Sequence, residues 1–154
     1  SLGLSFQEVG IALMGEDNKE YISLRNFAFY LAVGTSAALA IVSFTPLAFV
    51  WFHSVSGLSL ELTNLALLPT RILVLIPGLT VVLSFMRSIL VNNQKTKPIT
   101  IATIMEVVGI LGVLFLTINV FDLVGAVAAS LALLAGRLLA DVYLIYPCSL
   151  VLKN

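Results

Sequence analysis

The chain has 154 residues, 60% of them hydrophobic and 10% charged, with eight basic residues balanced by eight acidic ones. Soluble domains carry roughly a quarter charged residues; this composition, at a mean hydropathy of +1.10, is that of a membrane protein. The lack of a basic surplus excludes the electrostatic footprint by which nucleic acid is held.

The first stretch, "SLGLSFQEVGIALMG", is shorter than the about 20 residues a hydrocarbon core requires, has no basic start and holds Glu8 in mid-run, so it does not fit a signal peptide. It reads as the tail of a helix, which makes the chain, in expectation, a piece of a longer protein. The polar stretch 16–25, "EDNKEYISLR", follows. Four apolar segments come next, over 26–52, 65–90, 99–119 and 123–146, each able to cross about 30 Å of hydrocarbon at ~1.5 Å per residue. They are joined by "HSVSGLSLELTN", "VNNQKTKP" and "VFD". The fold expected is all-α, a polytopic membrane helix bundle forming one transmembrane unit over 1–154, with four full spans and the end of a preceding one.

Basic residues sort to alternate ends of these spans. Lys19 and Arg25 precede the first, Arg87, Lys95 and Lys97 flank the junction of the second and third, and Lys153 follows the fourth; the other two loops hold no Lys or Arg. Because such an excess marks cytoplasmic loops, residues 16–25, residues 91–98 and the C-terminus are expected inside. Trp51, Phe52 and His53 then end the first span on the outer side and Tyr143 and Tyr146 end the last on the inner, as amphipathic rings favour the headgroup layer. His53 reads as an interfacial residue rather than a ligand.

Small residues predict how the spans pack. Ala128, Ala132, Gly136 and Ala140 recur every fourth position, and Gly34 with Ala38 repeats the spacing in the first span. Lipid is as apolar as leucine, so membrane helices associate by close backbone approach at such stripes.

Arg71, Glu106, Arg137 and Asp141 fall within or near hydrocarbon, where a charge costs about 2.5–3.5 kcal/mol and so faces a bundle interior or a wet cavity. Counted along the helices, Glu106 lies ~12 Å and Arg137 about 10–15 Å above the inner surface, which makes them partners. Arg71, roughly 10 Å below the outer surface, is expected to reach toward Glu106 with its long side chain. Asp141 follows Arg137 by one helical turn, a spacing that permits an intrahelical pair, near enough to the inner surface to be partly hydrated. Two readings stand: an ion-pair cluster that locks the bundle, or a polar pathway for substrate or proton.

The same region, "LLPTRILVLIPGLTVVLSFMRSIL", holds two prolines. Pro69 and Pro77 lack a backbone donor and Gly78 adds freedom, so the second span should kink or break around Pro77, near the level of Glu106. Broken helices are tolerated at membrane depth where protein or water covers the freed groups, as in transporter sites. A lone Cys148 permits neither an internal disulfide nor a metal site, and no phosphate loop or HExxH motif occurs, so neither enzyme nor cofactor chemistry is expected.

From 67 onward, through the basic loop to "DLVGAVAASLALLAGRL", the sequence resembles the multidrug/oligosaccharidyl-lipid/polysaccharide exporter superfamily, which includes the multidrug and toxic compound extrusion transporters and the lipid-linked saccharide flippases. The similar features are the Pro-containing span, its Arg-containing end leading into a short basic loop, a third span with few charges, and Gly125, Ala126 and Ala129 opening the last helix. Residues 16–25 look like the polar turn before the third helix of a six-helix half; Arg87–Ser88 stands where many relatives have Arg-Gly. The resemblance implies a V-shaped transporter of two such halves, working by alternating access on a proton or sodium gradient, with this chain supplying the end of the second helix through the sixth. Its partners would be the lipid bilayer, the other half, and a drug-like or lipid-linked substrate, in a bacterial inner membrane with the C-terminus cytoplasmic. The alternative, from another class, is a non-transporting membrane scaffold or assembly subunit with structural buried ion pairs.

Overall fold

The computed structural model describes residues 2–14, 21–119 and 125–153, all in helices and short turns with no strand among them. Helices α1 (Leu2–Met14), α2 (Tyr21–Phe44), α3 (Pro46–Val50), α4 (Leu60–Ile72), α5 (Ile76–Asn92), α6 (Lys97–Asn119) and α7 (Gly125–Lys153) follow in order. Four spans, α2, α4 with α5, α6, and α7, are long and apolar enough to cross a bilayer, so the chain is an all-α integral membrane protein. Residues 16–20 with Lys19, the "VFD" connection and the expected start of the fourth span at Leu123 lie outside the described residues, as does the side chain of Lys153.

Helix α5 is the centre of the bundle. α1, α2 and α7 pack on it, while α6 leans mainly on α7. The core joins Leu24, Ala28 and Ala32 of α2, Val81, Leu83, Phe85, Met86, Ile89 and Leu90 of α5, and Ala140, Leu144, Cys148 and Val151 of α7. These come from the start of α2 and the ends of α5 and α7, so the close-packed core sits at the end of the bundle that carries the basic loop.

The stripe on α7 does what its spacing predicts, since Ala128, Ala132, Gly136 and Ala140 are all buried. Leu144 and Cys148 extend it, with the Cys148 thiol donating to the Met86 carbonyl at 3.4 Å. On α2 the expected stripe is corrected: Gly34 and Ala38 face outward, and Leu24, Ala28 and Ala32 are buried instead. The small residue that brings α2 and α5 together is on the other helix, at Gly78. Most of α6 is exposed, with only 6% of its most apolar window buried, as suits a face solvated by lipid.

Span ends also differ from expectation, with α2 beginning at Tyr21 rather than 26 and α4 at Leu60 rather than 65. α2 stops at Phe44 instead of running through 52, because Pro46 offers no N–H and forces the residue before it out of the helical region; Thr45 is extended at φ −101°, ψ 167°. The chain then continues as α3 and one wide turn, Trp51–Val55. There the His53 ring lies 5.6 Å from that of Phe49, with its Nδ1 3.0 Å from the Leu58 carbonyl. At the other end α7 runs through Pro147 to Lys153 rather than ending at Tyr146, since a membrane helix tolerates one missing donor among packed neighbours. Asp141 therefore sits about three turns from the helix end, deeper than the roughly one turn counted from Tyr146.

Candidate functional site

The second span is interrupted where its prolines predict. α4 passes through Pro69 and ends at Ile72, a 3-10 turn covers Leu73–Leu75, and Pro77 is the second residue of α5. With no N–H at Pro77, the carbonyl of Leu73 is taken by the Ile76 N–H in the tighter three-residue pattern. The Gly78 N–H, left over at the start of α5, donates to Ser36 Oγ of α2 at 3.1 Å. A Cβ on Gly78 would meet that oxygen at 2.6 Å and the Ala32 carbonyl oxygen at 3.1 Å. Gly78 thus serves close approach rather than freedom of the backbone, and a hydroxyl from the neighbouring helix covers the break.

α6 crosses α7 at a second glycine contact. A Cβ on Gly136 would meet Ile110 Cγ1 at 2.5 Å and the Glu106 carbonyl oxygen at 2.8 Å, and one on Gly109 would lie 3.5 Å from Gly136 Cα. The next residue along α7 is Arg137, whose Nη1 lies 3.2 Å from Glu106 Oε1. The depths counted from sequence made these two residues partners, and the backbone contact at Gly136 is what holds them level.

The break and the ion pair share a cavity. About 270 Å³ in volume, it is lined by Leu39 of α2, Leu73, Ile76 and Pro77 at the break, Glu106 of α6, and Leu133 and Arg137 of α7. Its walls are apolar except for the one carboxylate–guanidinium pair. That volume lies just under the range of about 300–1,000 Å³ usual for small-molecule sites.

Arg71 is elsewhere, which corrects its expected reach toward Glu106. Its Nε donates to the Ser43 carbonyl at 3.4 Å and its guanidinium lies over the Phe44 ring, 5.6 Å from the centroid. The cause is the break at Pro46: α2 ends there, its last carbonyls have no N–H above them, and a cation at a helix C-terminus satisfies one and complements the helix dipole.

Asp141 also departs from expectation. It is 5% exposed rather than partly hydrated, and neither carboxylate oxygen has a hydrogen-bond partner. The intrahelical pair with Arg137 is not formed, because Arg137 is turned to Glu106. The charges of Arg137, Glu106 and Arg87 all act on Asp141. Arg87, read from sequence as one of the basic residues at the junction of the second and third spans, belongs to this cluster: its Nη2 donates to Thr103 Oγ1 of α6 at 3.2 Å and its Nε is buried without a partner. Phe85, Met86, Ser88 and Ile89 around it are all buried, and the sequence signal for it is its place inside the apolar segment 65–90.

Among the described residues no group of three or more His, Cys, Asp or Glu side chains could hold a metal ion. No family model matches the chain, and no curated protein or solved structure matches it.

Proposed function

We propose that the chain is the membrane core of a secondary-active transporter, an exporter or flippase that moves a drug-like or lipid-linked substrate by alternating access. The observation that carries this reading is the cavity at which a broken helix meets a partly buried ion pair. A helix interrupted at membrane depth beside a polar group is the usual construction of a transporter site. The resemblance to the multidrug and lipid-linked saccharide exporters supports the same reading, and with it a second half, a proton or sodium gradient as energy source, and a bacterial inner membrane with the C-terminus inside. In this reading the close-packed end around α5 is the closed gate and the cavity is the innermost point reached from the opposite side.

The test is flux. The protein, joined to the second half that the reading requires, is reconstituted into liposomes with an imposed proton or sodium gradient, and movement of a lipophilic dye and of a fluorescent lipid-linked sugar is followed with the native residue and with Glu106→Gln. Gradient-dependent flux that Glu106→Gln loses supports the proposal. Folded, reconstituted protein that moves neither compound under either gradient sinks it in favour of a scaffold held by its ion pairs.

A further inference from the structure

Asp141 poses a question the cavity does not answer. The residue is 5% exposed and both its carboxylate oxygens are buried without a partner, although a bare carboxylate in such surroundings is among the costliest groups a bundle can hold. No element packed on α7 bonds Asp141 with a neutralising group. α6 supplies Glu106, of like charge and engaged with Arg137. α5 supplies Arg87, whose Nη2 is held by Thr103 and whose Nε, buried without a partner, makes no bond to Asp141. α4 supplies Arg71, turned to the Ser43 carbonyl, and Glu61, exposed at the start of that helix. On α7 itself Arg137, one turn away, points to the other carboxylate.

We infer that Asp141 is a proton-binding site, and that its proton decides which carboxylate Arg137 pairs with. In the arrangement seen here Asp141 carries the proton and Arg137 lies on Glu106. Loss of the proton leaves a carboxylate four residues from Arg137 on the same helix face, the spacing at which such pairs form. Arg137 then leaves Glu106, and the Glu106 carboxylate at the cavity wall is freed. The step balances as a simple acid dissociation: the Asp141 O–H breaks, the proton leaves the bundle, and the guanidinium replaces it as the neutralising charge.

The occupant is a proton and not a sodium ion. Neither Asp141 oxygen has a hydrogen-bond partner, and among the described residues no group of three or more His, Cys, Asp or Glu side chains could hold a metal ion. A proton needs only the carboxylate itself. The inference rests on the transport reading for its purpose, since it names the coupling ion, but its test requires no transport.

The test is infrared spectroscopy of the chain in lipid, titrated with pH in H2O and D2O. Native protein should show a protonated carboxyl stretch that shifts in D2O, vanishes as pH rises, and moves when aspartate alone carries a 13C side-chain carboxyl. Asp141→Asn should lack it. Glu106→Gln should lack it too, because Arg137, released from its partner, ionises Asp141; adding Arg137→Gln should restore it. A native spectrum with no aspartic-acid band, a band that survives Asp141→Asn, or one unchanged in Glu106→Gln overturns the inference. The 13C shift decides the point on native protein even where a variant does not fold. A chain that passes this test and moves no substrate retains the proton site and loses the transport reading; one that fails it and still transports loses only the proton site.

Discussion

Glu106 touches α7 twice over. Its Oε1 lies 3.2 Å from Arg137 Nη1, and its carbonyl oxygen lies where a Cβ on the neighbouring Gly136 would meet it at 2.8 Å. The ion pair and the helix crossing are therefore one structure: the glycine lets the backbones close, and the closure brings two partly buried charges into register.

Gly136→Val tests that relation. The atoms in the way are backbone of α6 as well as the Ile110 side chain, so rotamer changes alone do not make room, and the cost should reach or exceed the ~1–3 kcal/mol of ordinary overpacking. Gly112, on α6, has nothing within 4 Å of an added Cβ, so Gly112→Val serves as control and should stay within about 0.5 kcal/mol of native. Detergent-denaturation midpoints followed by circular dichroism measure both. Equal midpoints for the two variants would refute the crossing as a determinant.

Glu106→Gln leaves the Arg137 guanidinium without its partner at a partly buried site. Breaking a buried pair by removing one member costs roughly 3–5 kcal/mol, reduced here to the extent that Arg137 finds Asp141. Glu106→Gln with Arg137→Gln should recover most of the lost stability. If the pair also serves a pathway, the double variant regains its fold and not its flux; recovery of both would reduce the pair to a structural clamp.

The four spans were legible because hydropathy and length are properties of the solvent each segment meets. Their ends were not, and each miss has a local cause. Pro46 falls inside a run that reads as one span by apolar content, yet it ends α2 and creates the free carbonyl that draws Arg71 away from Glu106. Tyr146 followed by Pro147 looks like an interfacial stop, yet α7 passes through it and carries Asp141 to depth. The pairing of Glu106 with Arg137 survives the misplaced end of α7 because the close contact of Gly136 with the Glu106 carbonyl, and not the depth counted from Tyr146, holds the two level. Arg87 was hidden by its position near a basic loop, where charge counting assigns it to water.

Arg71→Gln provides the contrast to Glu106→Gln. Arg71 is exposed, does not line the cavity, and bonds a single carbonyl of α2 at 3.4 Å. Losing one such contact should cost no more than about 1 kcal/mol, and flux in liposomes should stay near native. Loss of flux at full stability would return Arg71 to the pathway.

Sidedness follows from the loops. Cysteines at Ser56, which is exposed, and at Asn93, at the end of α5, placed in a Cys148→Ala background, should react with an impermeant thiol reagent from opposite faces of sealed membranes, Asn93 from the cytoplasmic one. Cys148 itself, buried and bonded to the Met86 carbonyl, should resist the same reagent in native protein. Labelling of both introduced cysteines from one face would reject the topology.

The break at Leu73–Leu75 has two causes that can be separated. Pro77 removes the donor that an α-helical Leu73 carbonyl would use, and Ser36 holds the Gly78 N–H from outside the helix. Pro77→Ala restores the donor but leaves the tether, so the 3-10 turn should persist in part. Ser36→Ala removes the tether but not the proline, at a cost of about 0.6 kcal/mol, the average for a hydrogen bond between membrane helices. Only the double variant should let α4 and α5 join as one straight helix, which would carry Leu73 and Ile76 out of the cavity wall and reduce the space beside Glu106. Distances between spin labels at Leu62 and Asn92, near the two ends of the span, measure the straightening: longest in the double variant, intermediate in Pro77→Ala, native in Ser36→Ala. Flux should fall in the same order if the bend shapes a transport site. A double variant that straightens and still transports at the native rate would leave the bend a packing feature, and Pro77 with it.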